Sequence, residues 1–396
     1  MISPFFSLSL RRRAAQWSLR KAVVGCGTGE GAVRVALTGA TGFLGLRLLD
    51  ELLCRHRSVT VLARGEPERA RERIARGLAR FATPRPDLPA RLRVVSARIT
   101  EPRLGLPEDA HRELADSLDA VWHCAGDTTL DGDLAVLRRV NVAGTRHVLD
   151  LAGAGSGQPM VFHVSTAFVA GARRAGVVYE DELTDAYGFE GAYERSKYEA
   201  EVLVHAWARA TGRPAVVFRP SVLTTGLPPH PDLPEHPLLN IERTLTGMER
   251  SYFGPGGLRE HGRFRIVGRP DGQLNLMPVE DAAAVMARLA DLPPAGGVET
   301  YHVVHGRETP VEEFRRLLER LTGVRVAIVP RLTDPSPREA AVAVVSGVFC
   351  YLGQRRRYDD SRVRARLGPP GVPARVDADY LLSGLRPVPR PEGAVR

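Results

Sequence analysis

Tyr193 and Lys197 stand four residues apart in the stretch AYERSKYEA, residues 192–200. The chain of 396 residues holds nine tyrosines but only two lysines, the other being Lys21, and its remaining basic charge is arginine. On a helix, residues i and i+4 project from one face, so both side chains can reach one site. A free phenol has a pKa of about 10 and is poorly matched to proton transfer near neutrality. A cation about 4 Å away, at an effective dielectric near 20, is worth roughly 4 kcal/mol, or about three pKa units. The spacing therefore predicts a tyrosine lowered by its lysine, and a compact ammonium that can also hold a nicotinamide ribose. A hydroxyl that hydrogen-bonds the reacting oxygen should complete the set. The stretch FHVSTAFVAG, residues 162–171, offers Ser165 and Thr166. Strand alternation lets only one of them face a cofactor. His163 shares the face of Ser165 and is read as a core or hydrogen-bonded histidine rather than a base.

These groups need a frame, and a second motif indicates which. VALTGATGFLG, residues 35–45, places Gly39, Gly42 and Gly45 after a strand and at the mouth of a helix. In that setting the first glycine allows a tight turn, the second lets backbone approach a pyrophosphate, and the third lets helix pack on strand. The helix N-terminus adds the positive end of its dipole. A superficially similar run, VVGCGTGEG at 23–31, leads into a strand and is read as a flexible linker. At the end of the second strand, where an NAD-preferring protein offers a carboxylate to the ribose, the chain has Arg64. A guanidinium there grips a 2′-phosphate with paired hydrogen bonds, which favours NADP over NAD. Arg71 and Arg73 on the following helix are read as a solvated face.

From Val33 to about Pro220 short β-branched runs alternate with amphipathic stretches. That alternation is the mark of a parallel sheet with crossover helices. Strands are expected at 33–38, 58–63, 92–97, 119–124, 159–165 and 214–219, with helices near 43–55, 66–81, 108–117, 133–153 and 192–210. After Pro220 the proline-rich run at 224–237 opens a region of shorter elements. Strands are expected there near 273–277, 299–304 and 324–329, and helices near 279–291 and 311–322. The fold class is thus α/β: a Rossmann-type doubly wound sheet over 33–225, and a smaller C-terminal substrate lobe over 226–385. Segments near 273–292 return to the sheet. Residues 1–32 are expected to be a flexible basic leader and 386–396 a tail.

Taken together these residues resemble the extended short-chain dehydrogenase/reductases over about residues 33–370. The glycine loop and Tyr193-x-x-x-Lys197 carry the likeness. So does a strand-end Ser/Thr five residues before a glycine, an offset that selects Thr166 (before Gly171) over Ser165. The resemblance implies Thr166, Tyr193 and Lys197 as catalytic residues. It implies Gly39, Thr41, Gly42, Phe43, Leu44, Gly45, Arg64, Ala125, Gly126, Lys197, Pro220 and Ser221 around the cofactor, Pro220 and Ser221 lining the nicotinamide. RRVNVAGTRHVLDLA (138–152) matches the family's Asn-Val-x-Gly-Thr helix, so Asn141 carries over as a structural or water-relay residue. NLMPVEDAAAVMARL (275–289) matches the segment that returns from the substrate lobe.

Within that superfamily, HVSTAFVAG and the LAR…ERARERI run look most like the thioester-reductase and male-sterility branch, which includes fatty acyl-CoA reductases. That likeness implies NADPH as cofactor and an acyl thioester on CoA or a carrier protein, acyl or peptidyl, as substrate. The product would be an aldehyde or alcohol of lipid or natural-product metabolism. CAGDTT, residues 124–129, departs from the commoner Ala-Ala pair, and the chain shows no adenylation or carrier domain. A ketone or aldehyde reductase on the same machinery is the alternative. A sugar-nucleotide epimerase or dehydratase would want an acid where Arg64 stands, and a dinucleotide sensor commonly loses the Tyr/Lys pair.

Composition narrows the remaining classes. The net charge of +9 comes from arginines spread along the chain, so no nucleic-acid role is expected. No apolar run approaches the roughly 20 residues of a spanning helix. Cysteines 26, 54, 124 and 350 form no close pairs, which suits a reducing cytoplasm and argues against a structural metal site.

Overall fold

The computed structural model describes residues 33–238, 263–294, 296–336, 339–340, 349–369 and 375–385. The expected leader and tail, the glycine-rich linker and Cys26 lie outside the described residues.

The β-branched runs become β1 (Val35–Thr38), β2 (Val59–Ala63), β3 (Leu92–Ser96), β4 (Ala120–His123) and β5 (Met160–Val164). The amphipathic stretches become α1 (Phe43–Arg55), α2 (Pro67–Leu78) and α3 (Glu108–Asp116). The helix expected at 133–153 is interrupted. A helical turn, Leu134–Leu137, passes through a π-helical segment, Arg138–Ala143, before α4 (Gly144–Ala154). Further on come β6 (Ala175–Val178), α5 (Ala192–Thr211), β7 (Ala215–Pro220) and β8 (Val222–Thr224). The C-terminal part holds β9 (Arg263–Val267), β10 (Gln273–Leu274), β11 (Leu276–Pro278), α6 (Val279–Ala290) and β12 (Val298–Val303). It ends with β13 (Thr309–Pro310), α7 (Val311–Thr322), β14 (Arg325–Val329), β15 (Arg355–Tyr358), α8 (Ser361–Leu367) and α9 (Ala378–Leu385).

Seven strands form one sheet in the order β12-β7-β5-β4-β1-β2-β3, and every pairing in it is parallel. The strand order reverses between β1 and β4, which is where open α/β sheets bind ligands. The sheet takes one strand more from the C-terminal part than the returning segment at 273–292 accounts for: β12 pairs with β7 along its whole length. The core explains why. Tyr301 and Val303 of β12 are buried with Phe218, Val279 and Met286 in the apolar cluster that covers one face of the sheet. Trp122, Phe162 and Phe218 stack across three neighbouring strands in that cluster. A second cluster, built on Phe264, Leu276, Phe314 and Leu352, forms the core of the smaller lobe, and Phe168 and Val222 of the first region pack against it. The lobe is also tied back by short parallel pairs, β11 with β8 and β15 with β6.

Candidate active site

The glycine loop connects β1 to α1. Gly39 has φ +76°, and a Cβ there would sit 2.6 Å from the backbone nitrogen of Ala125. The loop after β4 therefore lies directly against the glycine loop. A Cβ on Gly45 would fall 1.9 Å from the carbonyl oxygen of Gly39, so the first turn of α1 is packed hard on the strand exit. Gly42 caps α1 without a side-chain hydrogen bond, and the first turn carries no acid. Its orphan N–H groups are left to an anion. Thr41 and Phe43 are half-buried beside the exposed Gly42, and Leu44 is buried. Arg64 follows the last residue of β2, is exposed, and has no hydrogen-bond or ion-pair partner among the described residues. Arg71 is paired with Glu68 on α2, and Arg73 is exposed.

Thr38, the last residue of β1, has a role that sequence reading did not assign. Its hydroxyl oxygen accepts from the backbone N–H groups of Cys124 and Ala125 at 3.1 Å each and lies 2.9 Å from His123 Nδ1. It thereby fixes the loop that carries Ala125 and Gly126. Asn141, in the π-helical segment, holds the same loop from the other side. Its Oδ1 accepts from Asp127 N at 2.8 Å, and its Nδ2 donates to Asp127 O and to Ser196 Oγ on α5. The Asn-Val-x-Gly-Thr match had pointed to Asn141; a threonine at a strand end leaves no such signal.

Tyr193 and Lys197 both fall in the first two turns of α5 and are buried. Thr166 lies just past β5, where its hydroxyl acts on the Tyr193 phenol and pulls the phenol's pKa down. The neighbouring Ser165 donates instead to Glu201 Oε2, about two turns further along α5, at 2.5 Å. The two hydroxyls thus have different partners, and it is Thr166 that acts on the tyrosine. Lys197 Nζ donates to the carbonyl oxygen of Val164 at 2.9 Å and lies 4.0 Å from the point where a Gly126 Cβ would stand. Pro220 ends β7 and Ser221 follows it; both are buried, and Ser221 Oγ has no hydrogen-bond partner among the described residues.

The electrostatics differ from the sequence expectation in one respect. Burial pushes the Tyr193 phenol up to about 12, with Thr166 pulling the other way, so the hydroxyl is not lowered by Lys197. The reason is geometric: the ammonium is aimed at the Val164 carbonyl. Burial in turn brings Lys197 down to about 8, against the opposing pull of Cys124 and Glu201. His163 is enclosed in the sheet with neither ring nitrogen hydrogen-bonded, and burial followed by the Lys197 charge holds it well below its usual pKa. It is a neutral core residue.

The arrangement can therefore place an un-ionised phenol and a threonine hydroxyl beside one substrate oxygen. The glycine loop and the loop after β4 supply the bed for a dinucleotide.

The chain is similar to known proteins in sequence and in fold. The profile of the male sterility protein family matches residues 37–286. The L-2-aminoadipate reductase large subunit of Eremothecium gossypii is 28% identical over 340 residues, which is 80% of this chain and 23% of that protein. Fatty acyl-CoA reductase 1 of Homo sapiens is 34% identical over 143 residues, 34% of this chain and 28% of that protein. The chain thus spans under a third of the length of these curated relatives. Among solved structures, the terminal R domain from the myxalamid PKS-NRPS biosynthetic pathway superposes with a TM-score of 0.70 at 24% identity, covering 94% of this chain and 96% of that one. The UDP-glucuronic acid 4-epimerase from Bacillus cereus in complex with NAD gives 0.59 at 18% identity, covering 89% and 95%. Both likenesses are of fold.

Proposed function

The chain belongs to the male sterility protein family, and on that footing we propose that it is an NADPH-dependent reductase of acyl thioesters. The observation that carries the reading is the juxtaposition of Thr166 with an un-ionised, buried Tyr193, set one helical turn from Lys197 and near the loop that abuts Gly39. Names of relatives support the substrate class, since they include an aminoadipate reductase and fatty acyl-CoA reductases.

Bound NADPH supplies a hydride to the thioester carbonyl carbon. Gly39, Thr41, Gly42, Phe43, Leu44 and Gly45 would hold its pyrophosphate, Arg64 its 2′-phosphate, and Ala125, Gly126, Pro220 and Ser221 its remaining length. The donor set fits: an uncapped helix N-terminus and an unpaired guanidinium are anion sites. Tyr193 and Thr166 donate to the carbonyl oxygen as it gains negative charge, and a phenol that stays protonated near pH 7 is in the correct state to do so. Lys197 keeps a positive charge next to that oxygen. The carbon–sulfur bond then breaks, the thiolate takes a proton, and the products are an aldehyde and a free thiol. A second hydride would give the alcohol. A CoA or a carrier protein, acyl or peptidyl, is the proposed source of the thioester, and the cytoplasm the proposed location.

The test is NADPH oxidation measured with acyl-CoA, acyl-carrier and ketone substrates, with free thiol assayed in parallel. One thiol released for each aldehyde formed is expected. Oxidation with ketones alone, without thiol, would replace this reading with a ketone reductase. Absence of turnover with every carbonyl would remove the enzyme reading.

A further inference from the structure

Behind Tyr193 and Lys197 lies a buried ion pair for which the proposed chemistry has no direct use. Glu201 and Arg219 are 0% and 1% exposed. Arg219 grips the carboxylate with three contacts, Nη2 to Oε1 at 2.6 Å, Nε to Oε1 at 3.0 Å and Nε to Oε2 at 3.2 Å. Ser165 Oγ donates to Oε2 at 2.5 Å, so both carboxylate oxygens are engaged. Three elements meet on this one group: α5 through Glu201, β7 through Arg219, and the end of β5 through Ser165.

Two geometric facts give the meeting point its leverage. On α5, Tyr193, Lys197 and Glu201 follow at intervals of four and so share one face, over about 12 Å of helix at 1.5 Å per residue. Just past β5, Ser165 and Thr166 are adjacent, one reaching Glu201 and the other acting on Tyr193, so fixing the first hydroxyl constrains the backbone that carries the second. The backbone is pinned at the same point, since Ser165 N donates to Phe218 O at 2.7 Å and Phe218 precedes Arg219. A single carboxylate is thus tied to both segments that carry the reacting groups.

We propose that Glu201, held by Arg219 and Ser165, is a positioning residue that sets the separation of Thr166 from Tyr193 and keeps Lys197 charged beside them. The inference rests on the catalytic reading given above for those three residues. It goes further in assigning a function to a pair placed out of reach of cofactor and substrate. Charge is part of the role. The groups that act on the Lys197 ammonium are Cys124 from the loop after β4 and Glu201 one turn along α5, while His123 of β4 and His163 of β5 lie close enough to feel its charge. Of these, Glu201 alone is a carboxylate, and although burial opposes its ionisation, Arg219, His205 and Ser165 hold it well below the usual carboxylate range. It therefore stays anionic throughout the working range.

A buried pair broken on one side leaves an uncompensated charge and can unfold a protein, whereas replacing both members by apolar groups is often tolerated. The decisive variant is therefore the double Glu201→Leu/Arg219→Met, with Ser165→Ala as a lighter cut that leaves the charge in place. In the double variant we expect cofactor binding within twofold of the parent, kcat reduced at least tenfold, and the alkaline limb of the kcat/KM profile moved at least half a pH unit lower. In Ser165→Ala we expect a smaller kcat loss with the limb unmoved. Glu201→Asp, which restores the charge on a shorter stem, should return the limb more fully than it returns kcat. A folded double variant with the parent's kcat and the parent's limb would overturn the proposal and leave the pair a structural brace. Should the double variant fail to fold, the same two readings are taken on Ser165→Ala and Glu201→Asp. Parental kcat in the first and a parental limb with parental kcat in the second would overturn it equally. Tyr193→Phe is run alongside: if that variant stays active, the catalytic reading is at fault and not the positioning role.

Discussion

Lys197 is the residue whose retention most needs a physical reason in a chain that otherwise uses arginine. Its compact head fits a buried slot and donates to the Val164 carbonyl at 2.9 Å. A guanidinium is broader, planar and cannot lose its proton, so Lys197→Arg should retain the fold yet lose hydride transfer by two or more orders of magnitude, about 3 kcal/mol of barrier. Tyr193→Phe should lose a similar amount while still binding NADPH, and the double variant should be little worse, because the two act as a unit. Single-turnover rates with saturating cofactor check this; a Lys197→Arg rate within a few-fold of the parent would require the catalytic roles to be reassigned. The lysine also sets a pH dependence. Its pKa of about 8 means that the cation is present at pH 7 and disappears as pH rises through 8. The kcat/KM profile of the free enzyme should accordingly be level near pH 7 and fall above pH 8; a limb near 10 would place the ammonium in water-like surroundings. At the other end of the cofactor, Arg64 is exposed and unpaired among the described residues. Arg64→Ala should raise the Kd for NADPH at least tenfold, about 1.4 kcal/mol, and leave NADH nearly unchanged. Equal losses for both cofactors would make Arg64 structural.

At the level of elements, the parts of the frame set by local signals were readable and the parts set by long-range packing were not. The runs at 58–63 and 92–97 are β-branched and short, and they are β2 and β3. The helix expected near 311–322 is α7, Val311–Thr322, ended by Gly323 in the left-handed region. By contrast, β15 pairs with β6 across about 180 residues of chain, and neither four-residue strand has a periodicity of its own. The π-helical segment that carries Asn141 reads as ordinary helix because its apolar spacing is unbroken, and within it Asn141 bonds the loop on one side and α5 on the other. Such segments recur at functional sites. Of the candidate site, the glycines, Tyr193 and Lys197 were read from spacing, whereas Asn141 and the choice of Thr166 over Ser165 needed the family resemblance. Thr38 was not legible, since a hydroxyl that closes a loop across 86 residues leaves no pattern. Its importance can be measured. Thr38→Val removes the acceptor of two backbone donors, each costing about 1–3 kcal/mol if left buried and unpaired. The variant should be destabilised in urea unfolding and bind NADPH at least several-fold more weakly, while Thr38→Ser should recover both. Unchanged stability in Thr38→Val would mean that the loop finds another acceptor.

For the molecule as a whole, the ionisable groups buried in the sheet and beside the smaller lobe set how stability should respond to pH. Burial brings His123 down to about 3 and His236 and His302 to about 4, and holds His163 well below its ordinary value. Each is therefore neutral in the folded chain and takes up a proton near pH 6.5 only once unfolded. Below pH 6.5 the unfolded state gains those protons and stability is lost, by up to about 1.4 kcal/mol per pH unit for each histidine. Two acids act with the opposite sign. Burial raises Glu180, which accepts from the backbone N–H groups of His302 and Arg362, to about 7, and likewise Glu308. Their contribution is fully present below the unfolded carboxylate value near 4.5 and is lost as pH rises through 7. Between pH 4.5 and 6.5 the two effects compete, and four histidines outweigh two acids, so stability should climb with pH. Above 6.5 the histidine contribution is complete while the two acids finish titrating near pH 7, so stability should decline until Lys197, lowered to about 8, begins to lose its proton. The thermal midpoint at fixed ionic strength is expected to peak near pH 6.5, with the steeper slope on the acid side. Glu308→Gln should flatten the alkaline slope and steepen the acid one, because between pH 4.5 and 6.5 this carboxyl opposes the histidines. A midpoint that stayed level from pH 4.5 to 6.5 would mean that the buried histidines are already protonated in the folded chain, and the packing of the lobe against the sheet would then have to admit water that this fold excludes.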